Sequence, residues 1–173
     1  MRKVLVLVAA IAAASCGGNQ GSLSQEEAQS VGEAIASAIS EAGAQSNAAS
    51  GGSSRNLLSF GPITIQRSKA CAGGGDVKAS LTVSVSCSSG FWSCSTSGSS
   101  TVTAEACTTA TGVVVDGALT GTFSGQGLNF SATVVGDLTI TRPGEQPFVC
   151  TGASITVVGG KLVSGSNICG VAL

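Results

Sequence analysis

The side chains with chemistry to offer are chiefly thiols: Cys16, Cys71, Cys87, Cys94, Cys107, Cys150 and Cys169. The 173 residues contain no histidine, so neither a Ser-His-Asp nor a Cys-His nucleophile can be assembled. No two cysteines stand at C-x₂₋₄-C spacing, and without imidazoles a zinc site lacks ligands. No metal and no other cofactor is expected. The run Gly73-Gly74-Gly75 has neither the Lys-Ser/Thr nor the following helix of a phosphate loop and reads as a turn. Asp116 and Asp137 could in principle hold a cation or move a proton. No further ligand cluster accompanies them, so they read as two solvated carboxylates, and an enzyme is not expected. Arg67, Lys69 and Lys78 could meet an anionic headgroup, or simply deter pairing at a sheet edge. Phe91-Trp92, in a Gly/Ser loop between Cys87 and Cys94, is the candidate partner contact. The alternative is that these rings plug the open end of a β-layer.

The compartment follows from the first sixteen residues. Arg2 and Lys3 precede an uninterrupted apolar run at 4–14, too short for a membrane span, which needs roughly 20 such residues. Ala13-Ala14-Ser15-Cys16, followed by Gly17-Gly18, resembles the lipobox of bacterial lipoprotein precursors, although Ala13 stands where that pattern usually has Leu. The resemblance implies that Cys16 is lipidated and begins the mature chain, held in a bacterial envelope membrane, the outer membrane first. The alternative is ordinary cleavage after the Ala12-x-Ala14 pattern, leaving Cys16 a free thiol. Cysteine arithmetic favours lipidation: with Cys16 removed, six thiols remain, enough for three disulfides with none left over. An exported chain meets oxidising conditions, where bridges are the default.

These residues must be positioned by strands. From Val113 to Thr141 the chain alternates apolar or small residues with polar ones over two long arms, the pattern of half-buried strands. A two-residue loop at Gly125-Gln126 would pair Phe123 with Leu128, Gly121 with Phe130, Leu119 with Ala132 and Gly117 with Val134. Strands are expected at 63–71, 77–87, 101–110, 112–124, 127–142, 148–158 and 161–172. Breakers separate them: Gly73–Asp76, a Ser/Gly loop at 95–100, Gly112, Pro143-Gly144 and Gly159-Gly160. No connection has room for a crossover helix, so the expectation is mainly β, an antiparallel meander of about seven strands, curled or barrel-like. Five Phe, one Trp and no Tyr cannot supply the aromatic girdles of a transmembrane barrel.

Ahead of the strands, Ser24 can cap a helix while Glu27 reaches back to it. Ala28, Val31, Ile35, Ala38, Ile39 and Ala42 recur at helical spacing. This amphipathic helix, at 24–42, lacks the basic polar face and bulky anchors of a membrane-surface helix and is expected to pack on the sheet. The organisation is therefore signal peptide at 1–15, lipidated cysteine and tether at 16–23, helix at 24–42, flexible linker at 43–61 and a disulfide-stapled β-domain at 62–173. Residues 56–60 would anchor the linker's end on the core.

Folding about Gly159-Gly160 sets Cys150 against Cys169, with a bulge at Gly165 adjusting the rung. Cys71, Cys87, Cys94 and Cys107 allow three connectivities. Folding about 88–100 favours Cys87 with Cys107 and Cys71 with Cys94, although alternation puts Cys107 on the face opposite Val102 and Ala104.

Without Arg2 and Lys3 the net charge is about −3. The absence of a basic run argues against nucleic acid. Two readings of function follow. The first is a non-enzymatic, membrane-anchored envelope protein whose β-domain is structural or binds another envelope protein. The second is a carrier of an apolar ligand, held in a hollow left by Gly and Ala on the inner face.

Overall fold

Ser24 Oγ accepts the Glu27 N–H at 3.2 Å, and the Glu27 carboxylate accepts the Ser24 N–H at 2.8 Å. This reciprocal cap satisfies two donors that a helix start leaves orphaned, and α1 (Gln25–Gly51) follows it. The computed structural model describes residues 21–51, 62–87, 94–126 and 129–173. The signal segment, Cys16, residues 56–60, Phe91 and Trp92 lie outside them. The helix passes its expected end at 42 because its packing continues. A Cβ at Gly43 would meet the Phe130 ring, and buried Ser46 donates to the Gly43 carbonyl at 2.7 Å. Tertiary contact here outweighs the weak helix propensity of Gly and Ser.

The strands are β1 (Ile63–Ala70), β2 (Asp76–Cys87), β3 (Cys94–Thr108), β4 (Val114–Gln126), β5 (Asn129–Thr141), β6 (Phe148–Val158), β7 (Lys161–Leu162), β8 (Asn167–Ile168) and β9 (Val171–Ala172). They form one antiparallel sheet in the order β1-β2-β3-β4-β5-β6-β8-β9, with β7 also on β6. The fold is mainly β and a meander through β6, as expected. Among the described residues the sheet is not a closed barrel, and it has nine strands rather than about seven. The extra strands arise because the expected 161–172 strand is cut twice. Gly165 has φ +97°, and Cys169-Gly170 has φ +53° and +83°, left-handed values at which a strand must turn.

Two further expectations are corrected. The Ser/Gly stretch at 95–100 is strand, not loop, because its backbone is paired on both sides, with β2 and with β4. β-propensity depends on such context. At Gly98 a Cβ would run into the Thr82 carbonyl, so this close approach of strands requires glycine. In the β4–β5 pair Gln126 stands opposite Asn129. Phe123 therefore faces Ala132, Gly121 faces Val134, Leu119 faces Gly136 and Gly117 faces Leu138. Every partner is displaced by four residues from the expected register. An even displacement leaves each side chain on its expected face, and in the observed register Phe123 stacks on Phe130 at 5.7 Å.

The inner face of the sheet and the stripe Ala28, Val31, Ile35, Ala38, Ile39 and Ala42 form one buried cluster. Polar contacts of α1 reach both ends of the sheet. Glu41 pairs with Lys69 of β1, Gln25 donates to the Ala172 carbonyl of β9, and Ser40 donates to Gly160 O between β6 and β7.

At the helix start, Arg142 donates from Nε and Nη2 to the two oxygens of Glu27, at 2.8 and 2.9 Å. Its guanidinium also lies 5.7 Å from the centre of the Phe148 ring. The Arg142 hydrogen bonds, with that from the Ser24 backbone, lower the Glu27 carboxyl from 4.5 to about 2. A folded-state value below the unfolded one means stabilisation that is full above about pH 4.5 and lost as pH falls towards 2. Replacing Arg142 by Met should cost on the order of 1 kcal/mol at neutral pH, after solvent screening. Thermal unfolding across pH should show that deficit shrinking towards pH 2; a deficit independent of pH would refute the assignment.

Candidate functional site

The positions most able to mark a site are the inner-face glycines, the cysteines, the two aspartates and the outer face of the sheet. The glycines do not line a hollow. A Cβ at Gly117 would meet the Asp137 carbonyl and Leu138, at Gly121 the Thr133 carbonyl and Val134, and at Gly136 the Ala118 carbonyl and Leu119. What occupies the space beside each glycine is the backbone of the neighbouring strand, joined at Gly117 and Gly136 by the Leu138 and Leu119 side chains. The apolar-ligand reading therefore loses the feature that motivated it.

The Cys150–Cys169 bridge stands as expected, with Cα atoms 4.8 Å apart. The detour through Gly165 shifts the register by two residues between the Val158–Lys161 and Ser154–Asn167 pairs, so Cys169 reaches Cys150 from the turn between β8 and β9 rather than from a directly opposite rung. The other expected pairing is overturned: Cys71 joins Cys107, with Cα atoms 5.4 Å apart. The cause is a bulge in β3, where the register slips between Ala104 and Cys107. One additional residue reverses the alternation beyond it, so Cys107 joins Val102 and Ala104 on the buried side. The turn after β1 is tied to the same place by Gly73 N to Thr108 O and Thr108 N to Gly74 O, each 2.9 Å. Cys87 and Cys94 face each other across the β2–β3 ladder. Neither expected partner, Cys107 or Cys71, is left for them.

Asp116 and Asp137 are not free carboxylates. Asp116 Oδ1 accepts the Ala106 N–H at 2.7 Å, inside the β3 bulge. Asp137 Oδ1 accepts the Gly152 N–H at 2.9 Å, inside a second bulge where β6 slips against β5. Ala106 and Gly152 both have left-handed backbones, φ +46° and +66°. The two aspartates hold the same device on two strand pairs, capping a donor that the slipped ladder leaves unpaired. The sequence signal was the Asp-Gly and Gly-Asp dipeptides at 116–117 and 136–137, each beside a glycine in a strand. Among the described residues no group of three metal-binding side chains occurs.

The basic residues are engaged too. Lys69 pairs with Glu41, and Lys78 with Glu105, which raises the Lys78 ammonium above its usual range. Arg67 donates to the Gln66 carbonyl at 3.1 Å. An open groove of about 550 Å³ runs between α1 and β7, walled by Gln29, Glu33, Ser37 and Lys161 together with Ala36, Leu162, Val163 and Leu173.

The outer face has an organisation that reading strand by strand does not disclose. The register aligns Thr64, Thr82, Ser99, Thr122, Thr133 and Thr156 in one row across six strands. Thr64 and Thr82 hydroxyls are 3.4 Å apart, and those of Thr133 and Thr156 are 3.2 Å apart. Flanking rows run from Ser84 to Val158 and from Ser80 to Ser154. Between β2 and β6, all positions of the three rows carry a hydroxyl except Val135 and Val158. None carries a charge. The charged residues of this face, Asp76, Lys78, Glu105, Asp116 and Asp137, lie in the rows beyond Ser80, beside the bulges.

Two outcomes are expected. Peptide mapping without reduction should recover Cys71–Cys107 and Cys150–Cys169, with Cys87–Cys94 as the third pair; a Cys87–Cys107 peptide would refute the register argument. Asp116→Ala should lower urea stability by about 0.5–1.5 kcal/mol, the net worth of an exposed hydrogen bond whose freed amide is open to water, and Ala106→Gly should raise it by about 1 kcal/mol by relieving the left-handed alanine. No change in either variant would remove the bulge-capping role.

Comparison of the chain with protein-family models, with curated proteins and with solved structures finds no match.

Proposed function

We propose that this is a non-enzymatic, membrane-anchored envelope lipoprotein whose disulfide-braced β-domain serves a structural or partner-binding role. The observation carrying the reading is the pair of bridges, Cys71–Cys107 and Cys150–Cys169, which is consistent with an exported protein. They close loops of 36 and 19 residues, each worth about 3–4 kcal/mol in the chain-entropy account. Among the described residues, no helix is long and apolar enough to cross a membrane. The anchor in this reading is the lipid on Cys16, with the short segment before Ser24 as its tether.

Several observations favour this reading over the ligand carrier. The inner-face glycines are covered by neighbouring strands, and the bulky residues Phe123, Leu119, Leu138 and Ile140 are fully buried. In this reading α1 is a permanent cover of the inner face rather than a membrane-surface helix. Its apolar stripe is 0–1% exposed, and its polar contacts reach β1 and β9. The catalytic devices sought in the sequence find no support either, since both aspartates are used as caps.

Radiolabelled palmitate fed to producing cells should label the full chain, and Cys16→Ser should abolish both the label and membrane fractionation. A Cys16→Ser protein that remains with the membranes would overturn the anchor.

A further inference from the structure

In the lipoprotein reading, a very short run of chain joins the anchor to the fold. Residues 17–20 separate Cys16 from Gly21, the first described residue. Those five Cα steps span at most about 17 Å when fully extended. From Gly21 onward the chain is fixed at one place. Gly21 lies so close to the Phe148 ring that a Cβ would overlap it, and the Ser22 carbonyl accepts a hydrogen bond from Arg142. Leu23 is buried, and the Ser24–Glu27 cap and the bidentate Arg142–Glu27 pair follow directly. Arg142 follows β5 and Phe148 opens β6, so the tether leaves the fold beside the β5–β6 turn.

An antiparallel meander has two ends. The β5–β6 turn shares its end with the β1–β2 and β3–β4 turns, while Cys87 pairs with Cys94 and Gln126 with Asn129 at the other. β2 and β4 run 12 and 13 residues, which sets the two ends roughly 35–40 Å apart along the strands. The tether spans less than half of that. We propose that the end bearing the β5–β6 turn is the membrane-proximal surface, facing the lipid headgroups, and that the Cys87–Cys94 end is held away from the bilayer. This rests on the lipid-anchor reading above and adds an orientation to it. The flanks of the molecule give a bilayer little to hold. α1 carries Glu26, Glu27, Glu33 and Glu41 and no basic residue, and anionic lipid repels such an element. Lys69 and Lys78 are paired with Glu41 and Glu105. A partner in the envelope thus meets the chain at the Cys87–Cys94 end, with the membrane behind the tethered one.

The chain has one tryptophan, Trp92, two residues from Cys94 and so tied by the chain to the far end. The test is energy transfer from tryptophan to dansyl groups on lipid headgroups. It uses the full lipidated chain reconstituted in phosphatidylcholine vesicles, with attachment checked by flotation. Transfer from Trp92 should be weak. Moving the donor to the exposed β5–β6 turn, with Gln146→Trp and Trp92→Phe, should raise transfer severalfold. Val149→Trp with Trp92→Phe, at a β6 position that is 64% exposed, is a second donor and should do the same. Transfer from Trp92 equal to or above that from both near-end donors would overturn the proposal. A chain that floats with the vesicles and shows that result keeps the anchor and loses the orientation; a chain that does not float loses both.

Discussion

An open meander has two free edges to manage and an apolar inner face that cannot be left to water. The helix α1 answers the second demand and touches each edge strand through one polar side chain. Its stripe of Ala, Val and Ile is buried with the inner face of the sheet, while Glu41 reaches β1 and Gln25 reaches β9. Small residues suit this position. Gly32 lies where a Cβ would press on Leu162 and Leu173, and Gly43 lies against the Phe130 ring. Glycine inside a helix costs up to about 1 kcal/mol relative to alanine, but here it permits close approach to the strands. The bidentate Arg142–Glu27 pair and the reciprocal Ser24–Glu27 cap then fix where the helix starts relative to the end of β5.

The bulges are the second organising device. Each inserts one residue, reverses side-chain alternation beyond it, and exposes an amide that an aspartate on the adjacent strand captures. In β3 that reversal brings Cys107 to the buried side, within reach of Cys71. In β6 the second bulge lies between Cys150 and Ala153, both buried on the inner face. Backbone irregularity and covalent bracing are thus coupled: without the slip in β3 the thiol would point outward. The asymmetry of the outer face follows as well, since the charges gather where the bulges need carboxylates and leave the remaining rows to Ser and Thr.

Much of this was legible locally. Ser24 and Glu27 are three residues apart, so the cap depends on nothing distant. The faces of β4 and β5 follow from period-two alternation, and they survived a register displaced by four residues because the displacement is even. The Gly159-Gly160 turn and the Cys150–Cys169 bridge follow from one short hairpin. By contrast, 95–100 reads as loop because Ser and Gly have little preference for strand by themselves. Two paired neighbours supply what the side chains do not.

The sequence alone determined the cap, the apolar faces of β4 and β5, the breaks at Gly73–Gly75, Pro143-Gly144 and Gly159-Gly160 and the order of a meander, because each depends on residues within a few positions of one another. Only the tertiary structure decided the β4–β5 register, the bulges, the Cys71–Cys107 bridge, the role of the two aspartates and the alignment of hydroxyls into rows. The physical reason is that register and bulge position are set by the packing of whole strands against each other. A single inserted residue changes which face every later side chain occupies.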